Sequence, residues 1–373
     1  MPVSRRESWQ SAKTIPGLSR TLAVAEKVRD RTREPWVSFM PNKKVGVTQV
    51  SNETKLALLR AMLRVRRFEE KIVEVYGAQD MKTPVHLSIG QEAVAAGVCH
   101  NLKTEDYVFS THRNHGHILV KGAAMAPMVA ELYGHADGCS SGKGGSMHML
   151  DTSAGCLGTS AIVGGSIPLG AGAALASLLR KNGRVSVSFF GDGASEEGLF
   201  HETMNFSALK KLPVVFACEN NNYATNSPLN ARQPHSDIAR RAASYGIPAV
   251  AIDGNDVLAV HLAALEAIAR ARSGGGPSFI ECKTYRWKGH VGPDCDYLKG
   301  CRPKEELDTW IERCPVKAFK AALLSEGVLS VPVFESMLKE IDSEISEAWK
   351  AGRSGPMPSP GDLYKDVYRQ EPS

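Results

Sequence analysis

The first sustained pattern of apolar and polar residues begins after residue 50. Apolar side chains recur there at helical spacing, at Leu56, Leu59, Leu63, Phe68, Ile72 and Val75. Ser51 and Asn52, with Glu53 behind them, are typical of a helix N-cap, and Gly77 ends the pattern. The sequence therefore predicts a long amphipathic helix over residues 52–75.

From Ser160 onward, short apolar runs alternate with helical patterns. The predicted strands are residues 185–190, 213–218, 247–252 and 278–285, and the predicted helices are residues 164–181, 196–211 and 257–272. Strands that alternate with helices predict a mainly parallel sheet covered by helices on both faces, which is an α/β fold. After Pro303 the sequence becomes helical and charged through Trp349.

The patterning divides the chain into three parts. Residues 1–50 carry scattered basic residues and no sustained apolar period, which indicates an N-terminal arm that wraps a surface. The acidic residues in this arm argue against a transit peptide. Residues 51–302 form the predicted α/β domain with its helical lead-in, and residues 303–373 form a helical C-terminal extension and tail.

Composition narrows the class of protein. Of 373 residues, 43% are hydrophobic and 23% are charged, which are average values for globular domains and exclude global disorder. The net charge of +5 is mild and forms no basic stripe interleaved with aromatic residues, so we expect no nucleic-acid partner. We expect no membrane association either, because the apolar stretches are shorter than a membrane span. The eight cysteines contain no CxxC pair, which favours reduced thiols in a cytoplasmic protein.

Candidate chemistry lies at the ends of two predicted strands. Gly191-Asp192-Gly193 directly follows the strand at 185–190, and Asn220-Asn221-Asn222-Tyr223 follows the next one. Ligands of an open parallel sheet bind at the carboxyl ends of its strands, where a carboxylate, an amide oxygen and a backbone oxygen can hold Mg²⁺. A helix predicted to begin near Ser195 points its N-terminal amides the same way, which favours a phosphate. Gly-Asp-Gly alone is an ordinary turn, but the run of asparagines one helix and one strand later makes the combination specific.

The segment from Gly191 to Ala224 resembles the thiamine-diphosphate-binding motif. The surrounding chain resembles the alpha subunit of the decarboxylating component of 2-oxo acid dehydrogenase complexes, including the acetoin dehydrogenase branch. The segments VHLSIGQEAVAAG, STHRNHGH, GKGGSMHM, GGSIPLGAG and TYRWKGH appear in the order of that family. The resemblance runs from about Asn52 to the end of the charged helices. It implies a thiamine-diphosphate-binding fold, in which the thiazolium ring of the cofactor acts as the electron sink.

The resemblance implies a metal site and a diphosphate site. The positions matching the family's Mg²⁺ ligands are Asp192, Asn221 and the main-chain oxygen of Tyr223. Gly193 and Ala194 match residues whose backbone contacts the diphosphate.

Four further residues match cofactor contacts. Arg113 matches the arginine that binds the diphosphate, and His112 precedes it at a position where pyruvate-type members usually carry tyrosine. Val163 falls where the family contacts the aminopyrimidine through its backbone, and Ile167 matches the bulky aliphatic residue that props the cofactor into its bent shape.

Histidines form the second candidate group. His86 and His290 match catalytic histidines that the family places around the reacting carbon. An imidazole that titrates near neutrality suits proton transfer, and a protonated one could orient a substrate carboxylate. His115 lies in the same loop as Arg113, and we assign it an orienting role.

The substrate is less well defined than the cofactor. The segment STHRNHGH resembles acetoin dehydrogenase members, so acetoin or a related small 2-oxo compound ranks first, with pyruvate and branched-chain 2-oxo acids close behind. The loop after His290 reads VGPDCDY and carries no serines of the kind that kinases modify in mitochondrial relatives.

A carboxylate that would activate the aminopyrimidine is not evident in this chain. In the family that glutamate comes from a separate beta subunit, and the resemblance therefore implies an α2β2 assembly that passes its acyl unit to a lipoyl-bearing acyltransferase core. Two alternatives stay open. One is a transketolase-type transferase half that acts on a sugar phosphate. The other is a binding subunit that keeps the fold without the chemistry.

Overall fold

The computed structural model describes residues 50–365 and 367, so the predicted N-terminal arm lies outside the described residues except for Val50. Helix α1 spans Asn52–Val75, as the sequence predicts. Its N-cap is confirmed, because the Ser51 side chain accepts a hydrogen bond of 3.1 Å from the Thr54 backbone N–H. The apolar stripe of α1 is buried, from Leu58 to Ile72.

A six-stranded parallel sheet forms the centre of the described chain. Its strands are β1 (Tyr107–Thr111), β2 (Cys156–Ser160), β3 (Ser186–Gly191), β4 (Val214–Asn220), β7 (Ala249–Asp253) and β8 (Ser278–Lys283), in the spatial order β2-β1-β3-β4-β8-β7. The two-residue strands β5 (Tyr223–Ala224) and β6 (Ser227–Pro228) form a separate antiparallel pair. The prediction of a mainly parallel α/β fold is confirmed.

Helices cover both faces of this sheet, as predicted. After α1 they are α2 (Glu92–Cys99), α3 (His115–Lys121), α4 (Met125–Tyr133), α5 (Ser166–Arg180), α6 (Gly198–Lys210), α7 (Leu229–Arg232), α8 (Ala239–Ala243), α9 (Val257–Arg272), α10 (Lys304–Glu312), α11 (Pro315–Ser325) and α12 (Val331–Gly352). One apolar cluster packs α5, α6 and α8 against β3 and β4, and a larger one packs α1 to α4, α9 and the C-terminal helices against the other face. None of the described helices is long and apolar enough to cross a bilayer.

The C-terminal helices pack on the N-terminal lead-in. Helix α12 contacts α1 and α4, and Arg64 of α1 forms a two-pronged ion pair with Glu344 of α12. The predicted boundary at residue 303 stays a prediction.

The chain reverses its direction across the sheet beside β3. It passes from β1 outward to β2, then returns to β3 and continues to β4 on the opposite side. Such a switch point opens a crevice at the carboxyl ends of the two strands that flank it, β1 and β3. The Gly191-Asp192-Gly193 turn lies at this crevice, at the end of β3.

One local prediction at this turn is wrong. The helix that we expected to begin near Ser195 begins at Gly198, and residues Asp192–Glu196 form a 3₁₀ turn instead. Gly193 lies within this turn, where a Cβ would lie only 2.8 Å from the Cβ of Ala224. Gly193 therefore lets β5 approach the turn closely.

Candidate active site

A cavity of about 200 Å³ lies in this crevice. It brings together ten of the eleven predicted site residues, namely His86, His112, Arg113, Val163, Asp192, Gly193, Ala194, Asn221, Tyr223 and His290. The eleventh, Ile167, does not line the cavity, because its side chain is fully buried in the apolar cluster beneath α5. Ile162 is the isoleucine that does line it.

The predicted metal ligands lie at the ends of β3 and β4. Asp192 and Asn221 are both buried, and Asn221 Oδ1 accepts a hydrogen bond of 3.2 Å from the Tyr223 backbone N–H. The Asn221 amide nitrogen donates to Oε1 of Gln91 over 3.0 Å. A carboxylate, an amide oxygen and a nearby backbone carbonyl are the hard oxygen ligands that Mg²⁺ prefers.

The Asp192 carboxylate forms an ion pair with a guanidinium group. Arg232, at the end of α7, donates to Asp192 and to Glu196. Burial raises the pKa of Asp192, and the charge of Arg232 opposes that rise. The carboxylate therefore already attracts a cation, which is the electrostatic property that a metal ligand needs.

Arg113 donates hydrogen bonds to the backbone of two loops of the site. Its guanidinium donates to the backbone oxygen of Leu87 and, over 3.4 Å, to that of His290. Burial and the nearby Arg286 guanidinium lower the pKa of Arg113 to about 9. Arg286 is itself buried, and it pairs with Asp296 over 2.8 Å.

Three imidazole rings meet at one wall of the cavity. The ring centroids of His86 and His112 are 4.6 Å apart, and each lies 5.2 Å from the centroid of His290. Burial, followed by the charge of Arg113, lowers the pKa of His86 to about 3, of His112 to about 2 and of His290 to about 4. The expectation of imidazoles that titrate near neutrality is not met, because the cationic neighbours and the loss of water oppose protonation. At pH 7 the three rings are neutral proton acceptors.

His115 is buried and lies outside the cavity lining, so its predicted orienting role stays a prediction. Its Nδ1 lies 3.1 Å from Glu69 Oε1 and its Nε2 lies 2.9 Å from Ser146 Oγ, with all three side chains buried. Both oxygens of Glu69 also accept from the Ser88 backbone N–H. The network joins the segments that carry His86, His112 and Met147. Glu69 was not predicted as a site residue, because it lies inside the helical pattern of α1.

A second buried carboxylate, Glu131 on α4, organises the glycine-rich loop at 140–145. Its Oε2 accepts from the backbone N–H groups of Ser140 and Gly142, and its Oε1 accepts from those of Gly144 and Gly145, all over 2.8–2.9 Å. The loop leads into Met147 at the cavity wall. Glu131 therefore stabilises the backbone on that side of the site.

Replacing Glu131 by glutamine is expected to destabilise the protein by about 2–4 kcal/mol, since the new amide group faces two backbone N–H donors in either orientation. Urea denaturation of the full chain, followed by circular dichroism, measures the change. Glu266→Gln is the matched control, because Glu266 is exposed on α9, and its effect should stay within about 0.5 kcal/mol. Equal midpoints for the two variants would contradict the role of Glu131.

The cavity lies at a switch point of a parallel sheet, which is where open α/β proteins typically bind their ligands. Residues 60–361 match the dehydrogenase E1 component family, and the chain belongs to that family. It is 41% identical to the alpha subunit of acetoin:2,6-dichlorophenolindophenol oxidoreductase of Bacillus subtilis, over 87% of this chain and 96% of the relative. The corresponding Cupriavidus necator subunit is 40% identical over 86% and 95% of the two chains. The pyruvate dehydrogenase E1 component subunit alpha of Rhizobium meliloti is 39% identical over 86% and 92%.

Proposed function

We propose that this chain is the alpha subunit of a thiamine-diphosphate-dependent dehydrogenase that cleaves acetoin or a 2-oxo acid, works with a beta subunit in an α2β2 assembly, and passes the acyl unit to a lipoyl group on an acyltransferase core. The observation that carries the proposal is the convergence on one cavity of ten residues that the family resemblance implies, in a chain of the dehydrogenase E1 component family. The names of the relatives favour this function over the transketolase-type alternative. We place the protein in the cytoplasm, which suits its eight free cysteines.

The residues present fit thiamine diphosphate with Mg²⁺. Asp192, Asn221 and the Tyr223 carbonyl supply oxygen ligands for the metal. The backbone N–H groups of Gly193 and Ala194 lie at the same turn and suit the diphosphate. When bound, the cofactor supplies the electron sink for cleavage of the bond next to the carbonyl. The residues of this chain then orient the cofactor, exclude water from the cavity and transfer protons.

The proton-transfer groups are the neutral imidazoles. His86 and His290 both line the cavity, and the pKa of each lies below neutrality. Each ring can therefore accept a proton from a substrate hydroxyl at pH 7. Acetoin has such a hydroxyl, so it offers the proton that a neutral ring can accept.

The shape of the site supports a partner subunit. The cavity volume of about 200 Å³ is below the roughly 300–1,000 Å³ of pockets that enclose a ligand. Ile162 and Val163 lie at this cavity with 71% and 52% of their surfaces exposed. A covering subunit would bury these side chains and complete the pocket.

Dye reduction by this chain together with its beta subunit tests the substrate. With Mg²⁺ and thiamine diphosphate, we expect the highest kcat/KM for acetoin and lower values for pyruvate and branched-chain 2-oxo acids. A preference for pyruvate by tenfold or more would contradict the assignment to acetoin and leave the class of enzyme intact. Turnover of a sugar phosphate alone would instead favour the transketolase-type function.

A further inference from the structure

Gln91 is a buried residue of the cavity that the sequence did not single out. It precedes α2, is only 1% exposed and lines the cavity beside Asn221. Its amide nitrogen Nε2 has no hydrogen-bond partner in the described part of the chain. Leaving a buried amide donor without a hydrogen-bond partner costs free energy. A bound ligand that accepts from Nε2 would remove that cost.

The orientation of this amide follows from one unambiguous donor. The Tyr223 backbone N–H can only donate, so the Asn221 atom facing it over 3.2 Å must be the oxygen Oδ1. The Asn221 atom that faces Gln91 is therefore the nitrogen Nδ2, and the Gln91 atom that receives it over 3.0 Å is the oxygen Oε1. Nε2 is then the free end of Gln91. The assignment needs no choice of amide flip at either residue.

The two ends of Gln91 act on different parts of the site. Through Oε1, Gln91 holds the nitrogen of Asn221 away and leaves the amide oxygen available to the metal. Nε2 is a buried donor without a partner in a residue that lines the cavity, and such a donor matches an anionic oxygen. Two charged residues of the wall already have partners, since Arg113 donates to two backbone carbonyls and Asp192 pairs with Arg232.

We propose that Gln91 couples the metal to the diphosphate: its Oε1 positions the metal ligand Asn221, and its Nε2 donates a hydrogen bond to a diphosphate oxygen of the bound cofactor. This inference rests on the proposed function and adds a residue to it. The Oε1 role is that of a positioning residue, because it acts through Asn221, whereas the Nε2 role is direct cofactor binding.

Two substitutions separate the two roles. Gln91→Glu keeps an acceptor oxygen for Asn221 but replaces the donor by an oxygen that repels the diphosphate. Gln91→Met keeps the length of the side chain and removes both functions. Gln79→Glu is the matched control for the added charge, since Gln79 is exposed and lies outside the cavity lining.

Binding of two probes is measured on the full chain assembled with its beta subunit. Mn²⁺ replaces Mg²⁺ and is followed by electron paramagnetic resonance in the absence of cofactor, and thiamine diphosphate is titrated by calorimetry at saturating Mg²⁺. For Gln91→Glu we expect Mn²⁺ affinity within threefold of wild type and thiamine diphosphate affinity at least tenfold lower. For Gln91→Met we expect both affinities to fall tenfold or more, as is typical when the partner of a metal ligand is lost. Gln79→Glu should change neither.

Each other outcome overturns a stated part of the proposal. A loss of Mn²⁺ affinity in Gln91→Glu equal to that in Gln91→Met would exclude positioning through Oε1. Unchanged thiamine diphosphate affinity in Gln91→Glu would exclude donation by Nε2. A merely structural role would lower the thermal midpoint of both variants without separating the two affinities, so the midpoints are measured alongside. If the wild-type complex failed to bind thiamine diphosphate, the proposed function itself would fall, whereas a defect confined to the variants concerns Gln91 alone.

Discussion

Replacing Asp192 by alanine is expected to weaken Mg²⁺-dependent binding of thiamine diphosphate by at least about 100-fold. Asp192 is the charged member of the proposed ligand set, and loss of even a residue that only supports a metal ligand typically costs 10–100-fold. Asp192→Asn, which keeps the shape of the side chain, should lose binding to a similar degree, because the missing property is the negative charge. Calorimetry on the chain assembled with its beta subunit measures both variants.

The control for this prediction is Glu196→Gln. Glu196 and Asp192 share the guanidinium of Arg232, but only Asp192 lines the cavity. The Glu196 variant should therefore bind the cofactor within about threefold of wild type. Wild-type affinity in Asp192→Asn, with an intact circular dichroism spectrum, would show that the metal site is misplaced.

Cofactor binding should also weaken as the pH falls. The metal binds the ionised carboxylate, so protons compete with it. Burial raises the pKa of Asp192, so this competition sets in at a higher pH than it would for an exposed aspartate. The direction of the effect is loss of affinity on acidification through the raised pKa.

Local signals account for the elements that the sequence predicted well. Helix α1 has a serine cap and a clear apolar stripe, and α9 spans residues 257–272 as expected. The strands β1 and β2 were not predicted. Each has only five residues, and β2 reads CLGTS with a glycine and two hydroxyl side chains. Pairing with the neighbouring strand, rather than its own composition, determines that β2 is extended. The composition of β1, YVFST, does favour a strand, so β1 is a local signal that was missed.

Local sequence patterns also account for the site residues that were predicted, whereas the missed ones depend on contacts between distant segments. Asp192 and Asn221 stand in contiguous motifs at strand ends, where the class of fold alone brings them together. The contacts of Arg232 with Asp192 and of Gln91 with Asn221 span 40 and 130 positions of sequence. A pattern within one segment carries no information about such pairs. It also does not show that burial beside Arg113 keeps three histidines neutral.

The purified chain alone is expected to turn over substrate at least about 100-fold more slowly than the same chain with its beta subunit. Among the described residues, the carboxylates that line the cavity are Asp192 and Glu219. Asp192 pairs with Arg232, and Glu219 lies 3.4 Å from Nε2 of His117. Because both carboxylates already have partners, we expect a further acid–base group to come from the beta subunit. A missing acid–base group costs about 10²–10⁴-fold in rate.

A titration of the beta subunit into a fixed amount of this chain measures the effect. The dye-reduction rate should rise and saturate at one beta subunit per chain, with the beta subunit alone inactive. Exposed Ile162 supplies an internal check, because Ile162→Asp, at a residue with no assigned cofactor contact, should raise the beta concentration needed for half-saturation. Glu202→Gln, a change on the exposed face of α6, should leave it unaltered. Turnover by the chain alone at more than a tenth of the saturated rate would mean that the catalytic carboxylate lies within this chain after all.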